Sequence, residues 1–273
     1  MNQPTNHNSG IRKYLVWLFW IAVWQAANLL IHNNIIFVGP LDMIKALAEQ
    51  AADPSFWTTI LNSFARISLG FLGAFFLSIL LGSLAYLFPL VKELLDPVML
   101  LIKSVPVASF VILALIWIGS RNLAVFTSFL VVVPMVYVST LSGLEHTDKK
   151  LLEMARVFSI PMWKRIHYIY VPALLPYLVN GCRTALGMSW KSGVAAEVIG
   201  IPEGSIGEQL YYSKLYLDTA GLFAWTFVII VISALFERFF LYLYYFGRQG
   251  VSSYQRSCGF VERGSLPESS GWI

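Results

Sequence analysis

Four ionisable side chains fall in or beside long apolar stretches of this 273-residue chain: Arg66, Arg183, Lys191 and Glu197. A charge in hydrocarbon is costly, so such groups face a bundle interior or a water-filled cavity, or find a partner. Lys191 and Glu197 are six residues apart, which turns them to different sides of a straight helix. A pair between them is not expected, and each needs a partner from another segment or another copy. Two readings of the four charges stand side by side. In one they line a translocation path, where Lys191 favours an anion. In the other they are structural, with Lys191 snorkelling to the outer interface and Arg66 or Arg183 held in ion pairs. Enzyme chemistry finds no constellation. His7, His32, His146 and His167 all lie away from the interior of the apolar runs, and no His-Glu-x-x-His occurs. Cys182 and Cys258 have neither metal-like spacing nor a disulfide framework. No catalytic residue, metal ligand or cofactor is expected.

These charges need an apolar frame, and the composition supplies one. The chain is 57% hydrophobic and 12% charged, against roughly 25% charged in a soluble domain. One polytopic all-α membrane domain is therefore expected, with about 20 apolar residues per crossing. Six candidates occur: Tyr14–Ile31, Ile67–Phe88, roughly Val98–Ile118 with Lys103 and Pro106 interrupting it, Asn122–Leu144, Pro172–Ile199 and Thr219–Phe236. The first is read as a retained helix rather than a cleaved signal. At 1.5 Å per residue from Pro172, Arg183 lies about 17 Å, Lys191 about 28 Å and Glu197 about 38 Å along the fifth span. That span also carries Gly181, Ala185, Ser189 and Gly193 at intervals of four, a small-residue stripe suited to close packing against a twin copy.

Segments on one side of this frame hold 13 Lys/Arg and those on the other hold 3, so both termini are expected in the cytoplasm. The division that follows is a flexible N-terminus over 1–13, a membrane domain over 14–247 with a cytoplasmic loop over 145–171, and a flexible tail over 248–273. A short helix over Pro40–Ala52 is expected at the outer surface. Most aromatic residues are expected at lipid or at the interface.

The cytoplasmic loop carries the densest pattern. Asp148 is a plausible N-cap. Leu151, Leu152, Ala155 and Phe158 follow at helical spacing, and Ala155 and Ser159 leave one strip with little side chain. Pro161 disfavours helix at Ile160 and should end this helix. Met162, Ile166 and Ile169 then oppose Lys164 and Arg165, and Pro172 and Pro176 mark the entry to the fifth span. On these residues alone the loop is an amphipathic interfacial connector.

The spacing adds more. Glu153-Met154-Ala155, three residues, Ser159, nine residues, Ile169-Tyr170-Val171-Pro172 resembles the signature of ABC-importer permeases: Glu-Ala-Ala, three residues, Gly, nine residues, Ile, one residue, Leu-Pro. Met154, Ser159 and Val171 depart from it, and Ser159 replaces the glycine of a sharp turn. Pro40, Trp57, Ser63, Arg66, Gly70-Phe71, Asp96-Pro97, Gly119 and Ala195-Ala196-Glu197 extend the resemblance over about residues 40–245. It looks most like the subgroup for sulfonates, taurine, nitrate or thiamine precursors. The resemblance implies an ABC type I importer-like permease, ATP-driven and binding-protein-dependent, in the cell membrane. It implies a homodimer, two cytoplasmic ATP-binding subunits and an extracytoplasmic solute-binding protein. Glu153, Ala155, Ser159, Ile169 and Pro172 would then form the ATPase-coupling element. No Walker A pattern occurs, so ATP hydrolysis is expected on a separate subunit. A stand-alone secondary transporter and an intramembrane enzyme are the alternatives.

Overall fold

The computed structural model of the chain describes residues 8–31 and 37–257. The helices run α1 Asn8–Ile31, α2 Pro40–Ala51, α3 Pro54–Leu87, α4 Pro89–Ser104, α5 Val107–Ile118, α6 Ser120–Glu145, α7 Lys149–Val157, α8 Met162–Arg165, α9 Val171–Gly200, α10 Ile206–Leu215 and α11 Thr219–Ser257. A π-helical segment, Ile166–Tyr170, joins α8 to α9. The all-α expectation holds. Residues 1–7 and 258–273, expected to be parts of flexible tails, lie outside the described residues, as do His7, His32 and Cys258.

Length and apolarity alone qualify α3, α6 and residues 219–240 of α11 as membrane spans. The third expected span is not one rod: α4 and α5 meet at a bend of 103°. Its cause is local. Pro106 pushes the preceding residue out of helical geometry, and Val105 is extended at φ −76°, ψ 128°. α9, with 30 residues, is long enough to cross but more polar, and α1 contributes the apolar stretch Leu15–Ile31.

The centre of the bundle is α6, clasped between α3 and α9. Small residues set its register. A Cβ on Gly193 of α9 would lie 2.5 Å from the Ser128 Oγ of α6 and 2.7 Å from Ile67 of α3. A Cβ on Gly181 would run into Ser139, and one on Gly70 into the Val125 carbonyl. The small-residue stripe of α9 is therefore filled by α6 and α3 of the same chain, and the expectation that it meets a twin copy is corrected. Ser128 seals the contact by donating to the Ser189 carbonyl at 3.1 Å.

Contacts at the two ends fix how the chain alternates. At one end Gly200 of α9 approaches Ser120 and Leu123 of α6 and Leu115 of α5. At the other, Tyr86 near the end of α3 meets Tyr170 in an edge contact, Lys92 at the start of α4 pairs with Glu145 at the end of α6 at 2.6 Å, and His146 stacks on Tyr177. Consecutive crossings by α3, α4–α5, α6 and α9 thus run in alternating directions, and the bent pair makes one passage. We call the second end the loop end and the first the far end.

The aromatic side chains divide. More are exposed than buried, but a minority build the core. Phe71, Trp190 and Phe236 are buried, and with Phe64, Phe75 and Phe240 they form a seam of edge and tilted contacts between α3, α9 and α11. A second cluster, Phe56, Ile206 and Trp225, closes the far end, with Leu47 of α2 packed on it.

Candidate functional site

At the far end, Glu197 is wholly buried near the end of α9. Its carboxylate accepts from the Ser63 hydroxyl at 2.7 Å and from the Gly207 N–H at 3.3 Å. Arg66, one helical turn beyond Ser63 on α3, lies 3.8 Å away as an ion pair rather than a hydrogen bond. Ser63 in turn accepts from the Ile206 N–H at 2.8 Å, so one hydroxyl ties Glu197 to the first turn of α10. Arg66 donates to the Glu203 carbonyl and Asn62 to the Gly204 carbonyl, each at 3.2 Å. The turn between α9 and α10 is thus stapled to α3 across its length. Ile201 at φ +46° and Gly204 at φ +64° give it its sharpness. Ser205 caps α10 by accepting from the Glu208 N–H at 3.0 Å, while the Glu208 carboxylate accepts from the Gly204 N–H at 2.7 Å, the reciprocal pair of a capping box shifted back by one residue.

The four charges therefore separate. Arg66 and Glu197 meet in one knot, in the ion-pair arrangement weighed for Arg66. Arg183 lies 3.4 Å from Glu237 of α11, a partner the sequence reading did not name. Lys191 is exposed and forms no ion pair among the described residues. It shares an exposed face of α9 with Asn180, Thr184 and Ala195, on the side turned away from α6. Lys191 and Glu197 do not pair. The capping-box spacing Ser205-x-x-Glu208 was the signal in the sequence that would have located α10. Nothing in the spacing links Ser63 to Glu197.

At the loop end, α7 begins as expected. Asp148 caps it by accepting from the Lys150 N–H at 2.8 Å. It ends in a Schellman motif. The Ile160 N–H donates to the Ala155 carbonyl at 2.9 Å and the Ser159 N–H to the Arg156 carbonyl at 3.0 Å. That motif puts its penultimate residue in the left-handed region, and Ser159 adopts φ +52°. The turn forms with serine where the resemblance has glycine. Arg165 then donates from Nε to the Ile160 carbonyl at 2.8 Å, bracing the corner past Pro161.

Ala155 is buried within the chain itself, so it supports the corner from inside. Glu153 and Ser159 are exposed, and Ile169 and Pro172 half-buried. The apolar residues around them are strongly exposed: Val157 at 81%, Phe158 at 73% and Trp163 at 79%, with Met162 at 57% beside them. From Met162 the chain is helical without a gap to Gly200. Pro172 widens this column rather than breaking it. Its missing N–H and its ring remove one ordinary helical bond, and the Val171 N–H reaches back five residues to the Ile166 carbonyl.

The binding-protein-dependent transport system inner membrane component family matches this chain over residues 53–244. A permease protein of Bacillus subtilis named for aliphatic sulfonates transport is 27% identical, covering 80% of this chain and 80% of its own length. The taurine transport system permease protein of Escherichia coli is 26% identical over 78% of this chain and 80% of its own. The nitrate import permease protein of Synechococcus elongatus is 26% identical over 71% and 73%.

Proposed function

Because this chain belongs to the binding-protein-dependent transport system inner membrane component family, as a permease subunit of an ABC importer, we propose that it couples a separate cytoplasmic ATPase to passage of a small anionic solute. It is a multi-pass membrane protein of the sulfonate, taurine and nitrate subgroup, and the family is non-catalytic. In the arrangement we propose, two copies of the chain assemble with two ATP-binding subunits and an extracytoplasmic binding protein. Both termini and the loop over 145–171 face the cytoplasm. The permease domain spans 14–247, with residues 1–13 and 248–273 as cytoplasmic extensions. The solute is a sulfonate, taurine, nitrate or a related anion, or a thiamine precursor.

The observation that carries the coupling role is the loop end. Val157, Phe158, Met162 and Trp163 present apolar surface on a corner closed by hydrogen bonds and joined without a gap to α9. A locked corner transmits displacement, whereas a loose loop would absorb it. Glu153 and Ser159 lie on the same exposed corner, and Ala155, Ile169 and Pro172 hold its shape. The exposed polar face of α9, with Lys191, supports a path lined by that helix. In this reading Arg66, Glu197 and Arg183 serve beside the path as structural charges.

The test uses the assembled transporter. A tagged chain should retain an ATPase on purification. Glu153→Lys and Phe158→Ser should leave the chain inserted but abolish uptake and release ATP hydrolysis from it. Uptake that continues without any ATPase would replace this reading with a stand-alone transporter.

A further inference from the structure

A broken helix inside a membrane is tolerated only where it is buried in protein or lines a water-filled cavity. The α4–α5 break has a measurable depth. Leu101, Ile102, Val105, Val107 and Phe110 around it enclose a small cavity against Thr127, Leu130 and Val131 of α6. At 1.5 Å per residue from Ser120, Thr127 to Val131 lie about 10–17 Å from the far end of α6. The break is thus well inside the bundle, far from either end of the 26-residue α6. The Thr127 hydroxyl, on a residue 1% exposed, lines this cavity and has no hydrogen-bond partner.

Lys103, one of the 13 charges expected on the cytoplasmic side, stands two residues before Val105 and so goes to depth with the break, which leaves 12 against 3. It is exposed and, among the described residues, forms no ion pair. Leu101, Ile102 and Val105 on either side of it line the cavity, which sets its backbone at that level. Lys191 is at the same level. The residues bracketing it on α9, Ser189 and Gly193, both meet Ser128 of α6, next to Thr127. α5 also packs directly on α9, through Val111 and Ala114 against Ala196.

We propose that Lys103 and Lys191 form one cationic level of the translocation path, positioned by the α4–α5 break, and that Lys103 is a specificity-determining residue for a small anion. This inference rests on the path reading given above. Two positive charges at one depth, neither paired with an acid among the described residues, favour an anion in water-filled space and repel a cation.

The experiment reads local charge directly. In the full-length chain, assembled with its ATPase in membranes, Cys182→Ala and Cys258→Ser remove the native thiols. Lys103→Cys and, separately, Lys191→Cys are then exposed to two water-soluble methanethiosulfonates, one anionic (sulfonatoethyl) and one cationic (trimethylammonioethyl). Rates are normalised to those with a small free thiol. Both positions should react. In the Lys103→Cys chain the anionic reagent should be favoured roughly tenfold, the size expected of a neighbouring unit charge in partly aqueous surroundings, and adding Lys191→Gln should remove most of that preference. Ser104→Cys with Lys103 retained is the second reporter, and its anion preference should fall on Lys103→Gln. Reaction at 191 with none at 103 or 104 overturns the proposal and leaves the path reading standing. So does a preference unchanged by either glutamine. If no position reacts, the path reading itself fails, and the proposal with it.

Discussion

The two ends of α9 solve opposite problems. At the far end a carboxylate is buried completely and every strong contact it makes comes from the same chain: Ser63, Arg66 and the N–H of Gly207. At the loop end four large apolar residues stand in the open, and nothing among the described residues covers them. Buried charge with internal partners makes for cohesion. Exposed apolar surface on a rigid support makes for completion by something else. In the function proposed above, one helix thus joins a part of the molecule closed by its own chain to a part that meets the ATPase.

The largest expected effect would break the first half of that comparison. Glu197→Leu leaves Arg66 half-buried without its counter-charge and strips acceptors from Ser63 and Gly207. Loss of one partner from a buried pair costs about 3–5 kcal/mol, and thermal unfolding in detergent should fall accordingly. Glu197→Gln, which keeps an acceptor, should lose less. Next comes the α6–α9 contact. Gly193→Val forces methyl groups onto Ser128 and Ile67 and should cost about 1–3 kcal/mol as overpacking, read by the same melt. Phe158→Ser sharpens the contrast from the other side. An exposed substitution is usually within about 0.5 kcal/mol, so stability should hardly move while transport-coupled ATP hydrolysis is lost. Equal losses of stability at Glu197 and Phe158 would erase the distinction. Ser159→Gly follows, with an effect on stability alone. Relief of a left-handed serine, worth about 1–2 kcal/mol, is partly offset by the glycine's added freedom in the unfolded chain. A net gain of about 0.5–1 kcal/mol should appear as slower proteolysis of the 145–171 loop. The smallest effect is acid-dependent. Asp53 caps α3, and bonds from the Ser55 N–H and hydroxyl hold its carboxyl below the ordinary carboxylate range. Its contribution is complete above the unfolded value of about 3.9 and fades as pH falls through the lowered native one. Asp53→Asn should therefore flatten the acid limb of the stability curve.

Much of this was legible in the residues. Asp148 as a cap, the stop at Pro161, the helix from Pro40 and the small face of α9 all follow from local chemistry. What periodicity could not say was which neighbour fills that small face, because a stripe of Gly, Ala and Ser specifies closeness and not identity. α6 takes it within the chain. The third span misled for a related reason: hydropathy averages over Val98–Ile118 and is blind to direction, whereas Pro106 acts on the single ψ of Val105. The knot was out of reach, since Ser63 and Glu197 are 134 residues apart and only the antiparallel packing of α3 against α9 joins them. Lys103 was visible as an interruption, but its depth came only with the cavity against Thr127.

The π segment ahead of Pro172 has one more consequence. Each residue of an α-helix turns the chain by about 100°, and a π turn inserts a residue without ending the column. The segment Ile166–Tyr170 therefore acts as a fixed angular offset between α9 and everything before it. Trp163, Met162 and the corner they support point in a compass direction that an uninterrupted helix would not give them. Removing one residue from 166–169 would leave the α3, α6 and α9 contacts beyond Tyr170 in place and swing the corner about a quarter of a turn, so the bearing of the loop is written in the count of residues before a single proline.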